Sequence, residues 1–199
     1  MFGLKVHAHG ITLGADLEMH FVPSGYVGLC RLPGDIVNIC GLFRSATTVP
    51  TPAQRWRDRL RGPEDSVLHA RLARAHFDEA SFCSVAGISL RPHRGLAGAE
   101  CRLGDALTMI PPVTGNGMSM AFEAAEMAIQ PLKRFSQGVS GWEEAQQAIA
   151  TRCDQAFASR LRLAAWLQWA LFRPVLRMAA LSLAGRSEWL WRDLFEQTR

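Results

Sequence analysis

The residues of this chain best suited to chemistry lie between Gly104 and Met118, in the stretch GDALTMIPPVTGNGM. Asp105 follows a glycine, Pro111 and Pro112 stiffen the next segment, and Gly115, Asn116 and Gly117 precede a Met- and Ala-rich run with helical spacing. The first turn of a helix carries backbone N–H groups with no intrahelical acceptor, and aligned peptide dipoles make that end positive. Glycines without a Cβ let a ligand reach those amides, and prolines stop the preceding element from running on. Asp105 is placed to accept hydrogen bonds from ligand hydroxyls. Together these residues predict a site that binds a hydroxylated, partly anionic molecule.

Other chemistry-bearing residues make weaker sets. His7, His9 and His20 sit on the polar faces of strand-like segments, but no further ligand at suitable spacing completes a metal site, so solvent- or substrate-facing roles are expected. His69, His76 and His93 stand alone. Five cysteines (Cys30, Cys40, Cys83, Cys101, Cys153) include no C-x-x-C pair, which argues against a zinc knuckle or a disulfide framework and for a reducing compartment. Glu123 and Glu126, three residues apart on the predicted helix, read as a solvated face rather than an acid–base pair. No Ser/His/Asp or Cys/His set emerges, so no catalytic acid or base is assigned.

The elements that must position Gly104–Met118 follow from periodicity. Leu4, Val6 and Ala8 alternate with Lys5, His7 and His9, and Leu17, Met19 and Phe21 with Glu18, His20 and Val22; both patterns predict half-buried strands. GYVGLCRL and IVNICGLF flank Pro33-Gly34-Asp35 as a hairpin, giving a sheet of three or four strands. Thr51 before Pro52 resembles an N-cap, with a charged helix to Gly62-Pro63 and a second over about residues 64–77. Residues 80–90 return to strand, and a short strand, AECRLGD, leads into the motif. Met118, Ala121, Phe122, Ala125, Ile129 and Leu132 form the stripe expected to face the core of the next helix. A long C-terminal helical arm follows, with breaks at Arg173-Pro174 and Gly185.

Composition bounds the rest. The 199 residues are 48% hydrophobic and 20% charged, as in a globular protein, and the net charge of +4 comes almost wholly from arginine. Basic residues are scattered, without a basic stripe interleaved with aromatics, so no nucleic-acid partner is expected. MFGLKVHAHG alternates like a strand and has no apolar core of a secretory signal, which makes the cytoplasm the expected setting. Trp166, Trp169, Trp189 and Trp191 mark the arm, whose uncharged run Leu163–Phe172 is too short to span a bilayer. Packing against the protein body is expected there, with peripheral membrane contact as the second reading because arginines flank the run.

Strand, Gly-Asp, then Pro-x-x-Gly-x-Gly opening a Met/Ser/Ala-rich helix resembles the second flavin-binding motif of the superfamily of para-hydroxybenzoate hydroxylase-like monooxygenases and geranylgeranyl reductase-like oxidoreductases. The segment FVPSGYVGLCRLPGDIVNICGLF is similar to the substrate-domain hairpin of the reductase branch, and the tail ending FEQTR to its helical end. The resemblance implies an α/β (α+β) fold with an antiparallel substrate-domain sheet (1–98), a partial FAD-binding domain carrying the second motif and its helix (99–135), and a C-terminal helical arm (136–199). It implies FAD as cofactor, with Asp105 of the Gly104-Asp105 pair on the ribityl chain. Gly115, Asn116, Gly117 and Met118 would lie at the pyrimidine edge of the isoalloxazine, and Pro112 would pack against the ring. NAD(P)H is implied as reductant, with a small aromatic or isoprenoid substrate that is hydroxylated or reduced at a double bond.

The same superfamily carries a first motif, Gly-x-Gly-x-x-Gly, that seats the FAD pyrophosphate. No such motif occurs in this sequence, so the Rossmann dinucleotide-binding part is expected to be absent and its strands missing beside Ala99–Leu103. Glu100 and Arg102 stand where the superfamily tends to be apolar, from which an exposed edge or a decayed site follows. The chain thus reads as the C-terminal portion of a flavoenzyme whose N-terminal half is a separate or truncated piece. The rival reading is a non-catalytic remnant or membrane-associated interaction protein that binds no flavin.

Overall fold

Period-two alternation sends Leu4, Val6 and Ala8 to one side of a strand, and in β1 (Phe2–His9) all three are buried. The computed structural model describes residues 1–44, 55–97 and 100–178. With β2 (Leu17–Val22), β3 (Gly25–Leu32), β4 (Ile36–Phe43) and β5 (His76–Ala86), β1 builds a five-stranded antiparallel sheet in the order β2-β3-β4-β1-β5. The expected hairpin is present residue for residue: Leu32 pairs with Ile36 around Pro33-Gly34-Asp35, where Gly34 and Asp35 both take positive φ. The first 43 residues supply four strands, the upper of the two expected counts, and the later strand-like run joins them as β5 on the outer edge of β1.

Two local expectations are corrected. In β2 it is Glu18 and His20 that turn to the core side, opposite buried Leu29 and Val27, while Leu17 and Met19 are exposed. Partners make that burial tolerable. Glu18 Oε2 lies 2.9 Å from His20 Nε2, and Glu18 Oε1 accepts from the Gly14 N–H at 2.6 Å and pairs with Arg71 Nη2 at 3.0 Å. Burial pushes the Glu18 carboxyl up, but the Gly14 N–H, His20 and the Arg71 guanidinium outweigh it and hold the group below its ordinary 4.5. His20 is therefore a hydrogen-bond partner of Glu18 rather than a solvent-facing side chain.

The second helix is also shorter than expected. After α1 (Arg55–Arg61), α2 covers only Val67–Arg71, capped by Ser66, whose hydroxyl accepts from the His69 N–H at 3.1 Å. The chain turns at Leu72–Ala75, and His76 and Phe77 join β5 opposite His9 and Ala8. Sheet pairing with β1 overrides the helical preference of that run. The cap expected at Thr51-Pro52 lies outside the described residues. Leu60, Leu68 and Leu72 close a core with Val6, Val27, Leu29 and Ile39, and Trp56 stacks on Phe82 with ring centroids 4.6 Å apart.

Met1–Ile88 and Ser89–Arg199 form two compact units. In the second, residues 101–103 are not part of a strand; Leu103 is extended (φ −131°, ψ 159°), but the short strand expected before Asp105 has no ladder partner among the described residues. Two helices, α3 (Gly117–Ser136) and α4 (Trp142–Leu171), enclose the core of this unit with Leu107 and Ile110. The break at Arg173-Pro174 is present: α4 ends at Leu171 and a further helical turn begins at 174. Gly185 lies outside the described residues.

The face that α3 buries is not the expected one. Met120, Ala124, Ala128 and Pro131 face inward, whereas Met118 (77%) and Phe122 (76%), with Ile129, are exposed. Alanines on the inner face share a core with Ile149, Cys153 and Phe157 of α4, where small side chains permit close helix approach. The larger apolar residues form a second, outward stripe.

Candidate cofactor site

Gly104 sets the geometry of the motif. Its φ of +57° opens a 3-10 turn over Gly104–Ala106, and its carbonyl accepts from the Leu107 and Thr108 N–H groups, both at 3.0 Å. A Cβ at this position would stand 3.1 Å from the Ala121 Cβ, so glycine permits both the left-handed backbone and contact with α3. Leu107 and Ile110 then anchor the segment in the core, and the buried Thr108 hydroxyl accepts from the His93 N–H at 3.2 Å.

Pro111 and Pro112 lead into a second 3-10 turn, Pro112–Thr114. The Pro111 carbonyl accepts from both the Thr114 N–H (3.1 Å) and the Thr114 hydroxyl (2.9 Å). Gly115 closes the turn at φ +70°, with open space where a Cβ would project. Asn116 is buried at the N-cap of α3, but its side chain does not cap the helix. The amides of the first turn therefore point past Gly115 and Gly117 without a side-chain acceptor from the cap.

Asp105 completes the arrangement. Its carboxylate is exposed, and Oδ1 lies 3.9 Å from the point a Cβ on Gly117 would occupy. The structure thus brings Gly104, Asp105 and Gly117 together at the start of α3, with Gly115 and Asn116 forming the adjoining bend. No described residue hydrogen-bonds or ion-pairs with the Asp105 carboxylate. Pro112 and Met118 are exposed on either side of the bend. A negative side chain beside an uncapped helix start is stabilising in itself, and both groups are available to a ligand.

The residues suit the polar edge of a flavin: carboxylate for hydroxyls, the uncapped amides at the start of α3 for electron-rich ring atoms, and glycines where a Cβ would intrude; the Gly115 N–H is already given to the Pro112 carbonyl at 3.0 Å. They do not enclose a ring. The cleft lined by Asp105, Thr108, Gly117, Met120 and Phe157 holds about 10 Å³, space for a single water. Within this unit the motif presents an open surface and not an enclosed pocket.

Two supports of that surface escape sequence inspection. Asp154 of α4 accepts from the Gly95 N–H at 2.8 Å and the Leu96 N–H at 3.4 Å, fixing the segment that precedes the motif. Glu123, expected on a solvated face, is half-buried and receives Arg160 Nη1 at 2.7 and 2.8 Å on its two oxygens; Glu126 is exposed as expected. Partners far apart in sequence give no local signal for either contact. Glu100 and Arg102, by contrast, pair with each other at 2.8 Å on the surface. Among the described residues no three His, Cys, Asp or Glu side chains converge as a metal site, and no helix is long and apolar enough to cross a membrane.

No family model matches the sequence, and no curated protein matches it. Solved structures do. The halogenase PltM superposes with a TM-score of 0.65 at 14% identity, over 85% of this chain and 39% of its own. A geranylgeranyl bacteriochlorophyll reductase-like protein from Thermoplasma acidophilum superposes at 0.61 and 16% identity, over 86% of this chain and 43% of its own. The flavin-dependent brominase Bmp2 does so at 0.59 and 13%, over 99% and 49%. The fold is therefore that of a portion of these proteins, and the chain spans less than half the length of each.

Proposed function

We propose that this chain is the C-terminal portion of an FAD-dependent oxidoreductase, acting in the cytoplasm. The observation that carries this reading is the Asp105 carboxylate lying beside the uncapped, glycine-flanked start of α3. Asp105 would hold the ribityl hydroxyls, the amides of Gly117 and Met118, set by the Gly115-Asn116 bend, the pyrimidine edge of the ring, and Pro112 its face. Bound FAD would supply the redox chemistry, with NAD(P)H as reductant and a small aromatic or isoprenoid substrate. Hydroxylation and double-bond reduction both use this arrangement, in which the protein binds, orients and stabilises charge. Negative charge developing at the ring's pyrimidine edge would meet the positive end of α3.

Two features support a further part that completes the site. The structures sharing this fold are more than twice as long as the portion matched here. The outward stripe on α3, from Met118 through Phe122 and Ile129 to Leu132, is apolar and uncovered. We infer that a segment bearing the first nucleotide motif packs on this stripe, as a separate chain or as residues preceding Met1. One observation favours the rival reading of a flavin-free remnant: the exposed Glu100–Arg102 pair sits where a buried parallel strand would be apolar.

Reconstitution decides between them. The chain is co-expressed with the Gly-x-Gly-x-x-Gly region encoded upstream or next to it. The expected product is a yellow complex that is reduced by NAD(P)H. Absence of any such coding region, or a folded complex that takes up no added FAD, overturns the oxidoreductase reading.

A further inference from the structure

A second uncovered surface lies at the end of α4, and its chemistry differs from that of the α3 stripe. Arg162, Trp166 and Trp169 recur at steps of four and three residues, which places them on one side of the helix, and Arg173 follows just past its end. That side points away from the core, which α4 reaches through Phe157, Leu161 and Ala164. Trp166 is 58% and Trp169 47% exposed, although burying an indole is among the most favourable things a fold can do with it. Arg173 places its guanidinium 3.7 Å from the Trp169 ring centroid, and Val175 and Met178 continue the apolar surface past Pro174.

Charge identifies the occupant. From Gln155 to Ser187 the sequence contains no Asp or Glu, while Arg160, Arg162, Arg173, Arg177 and Arg186 fall within it. Arg160 is taken by Glu123, but no described carboxylate pairs with Arg162 or Arg173, which bracket the two tryptophans. The α3 stripe lacks this character, since Glu123 and Glu126 lie along it. Indoles, aliphatic side chains and unpaired guanidiniums gathered on one exposed side, with the other side held in the core, are what a protein surface that rests on a membrane interface presents. Tryptophan favours the headgroup level, and arginine adds attraction to acidic lipids.

We propose that the Arg162–Trp166–Trp169 face of α4, continued by Arg173, Val175 and Met178, docks the protein on the surface of an anionic bilayer. The surface is peripheral, and nothing in the proposal depends on whether the protein binds flavin.

The test uses the whole 199-residue chain with phosphatidylcholine vesicles prepared with and without phosphatidylglycerol. Cosedimentation with the anionic vesicles alone, lost at high salt, is expected, with tryptophan emission quenched by brominated lipid. Arg162→Gln with Arg173→Gln should weaken binding roughly 30-fold, at about 1 kcal/mol for each arginine. Trp166→Ser with Trp169→Ser should remove most of the quenching, with an unchanged far-ultraviolet dichroism spectrum because both side chains are exposed. Equal binding to neutral and anionic vesicles, no binding to either, or a wild-type affinity insensitive to salt overturns the proposal. So does a dimer in sedimentation equilibrium that the tryptophan substitutions split, which would assign the face to a second copy of the chain.

Discussion

Gly104 and Asp105 are neighbours with separable roles, one conformational and one chemical. Placing alanine at 104 imposes a left-handed backbone on a residue with a Cβ and crowds Ala121, so Gly104→Ala should lower stability by about 2 kcal/mol in urea unfolding. Asp105→Asn should lower stability by no more than about 1 kcal/mol, the worth of an exposed charge beside a helix start, because the carboxylate engages no described residue. It should instead weaken FAD binding to the reconstituted protein about 10- to 100-fold, the worth of a charged hydrogen bond, read by flavin fluorescence titration. Glu18 gives a contrasting carboxylate. Its pKa is depressed in the folded protein, so its contribution to stability is complete above 4.5 and fades as the pH falls through the lower folded-state value. Glu18→Gln should therefore lower the melting temperature at neutral pH and flatten its fall below pH 4.5. The Gly104–Met118 geometry was legible in the sequence because each of its signals is local: a glycine for positive φ, prolines for a turn, glycines before a helix. The Glu18–Arg71 and Glu123–Arg160 pairs were not, since their members lie 53 and 37 residues apart.

Elements show where periodicity succeeds and where it inverts. In β1 and the β3–β4 hairpin the larger apolar residues are the buried ones, so alternation reads the correct face. In β2 the inward positions are filled by the hydrogen-bonded Glu18 and His20, and in α3 by alanines, so a reading that follows side-chain size selects the outer face. The consequence for α3 is measurable. Ala124→Leu inserts bulk into a fully buried position against α4 and should cost about 1–3 kcal/mol in chemical unfolding. Phe122→Ser, two residues away on the opposite face and 76% exposed, should change the stability of the chain by no more than about 0.5 kcal/mol. The same Phe122→Ser should weaken association with the first-motif segment, since there the ring would pass from water into an apolar contact. A Phe122→Ser chain as unstable as Ala124→Leu would mean that the outward stripe is already covered.

At the scale of the whole molecule, the proposed flavin site requires a further segment to close it. The segment before Asp105 is extended but joins no sheet among the described residues. The length of the proteins sharing the fold agrees: each is more than twice as long as the part that this chain matches. Ligand sites of this size bury most of the ligand surface, which an open face and about 10 Å³ of enclosed space do not. The isolated chain should therefore bind FAD weakly, with Kd in the high micromolar range or above, and lose it on gel filtration. Hydrogen bonds to Asp105 and from the first turn of α3 would remain, each worth about 1–3 kcal/mol, too little to offset the entropy of immobilising a dinucleotide. Equilibrium dialysis of the chain alone against FAD measures this directly. A Kd of a few micromolar or less, abolished by Asp105→Asn, would show that the second motif suffices and that no further segment is needed to close the site.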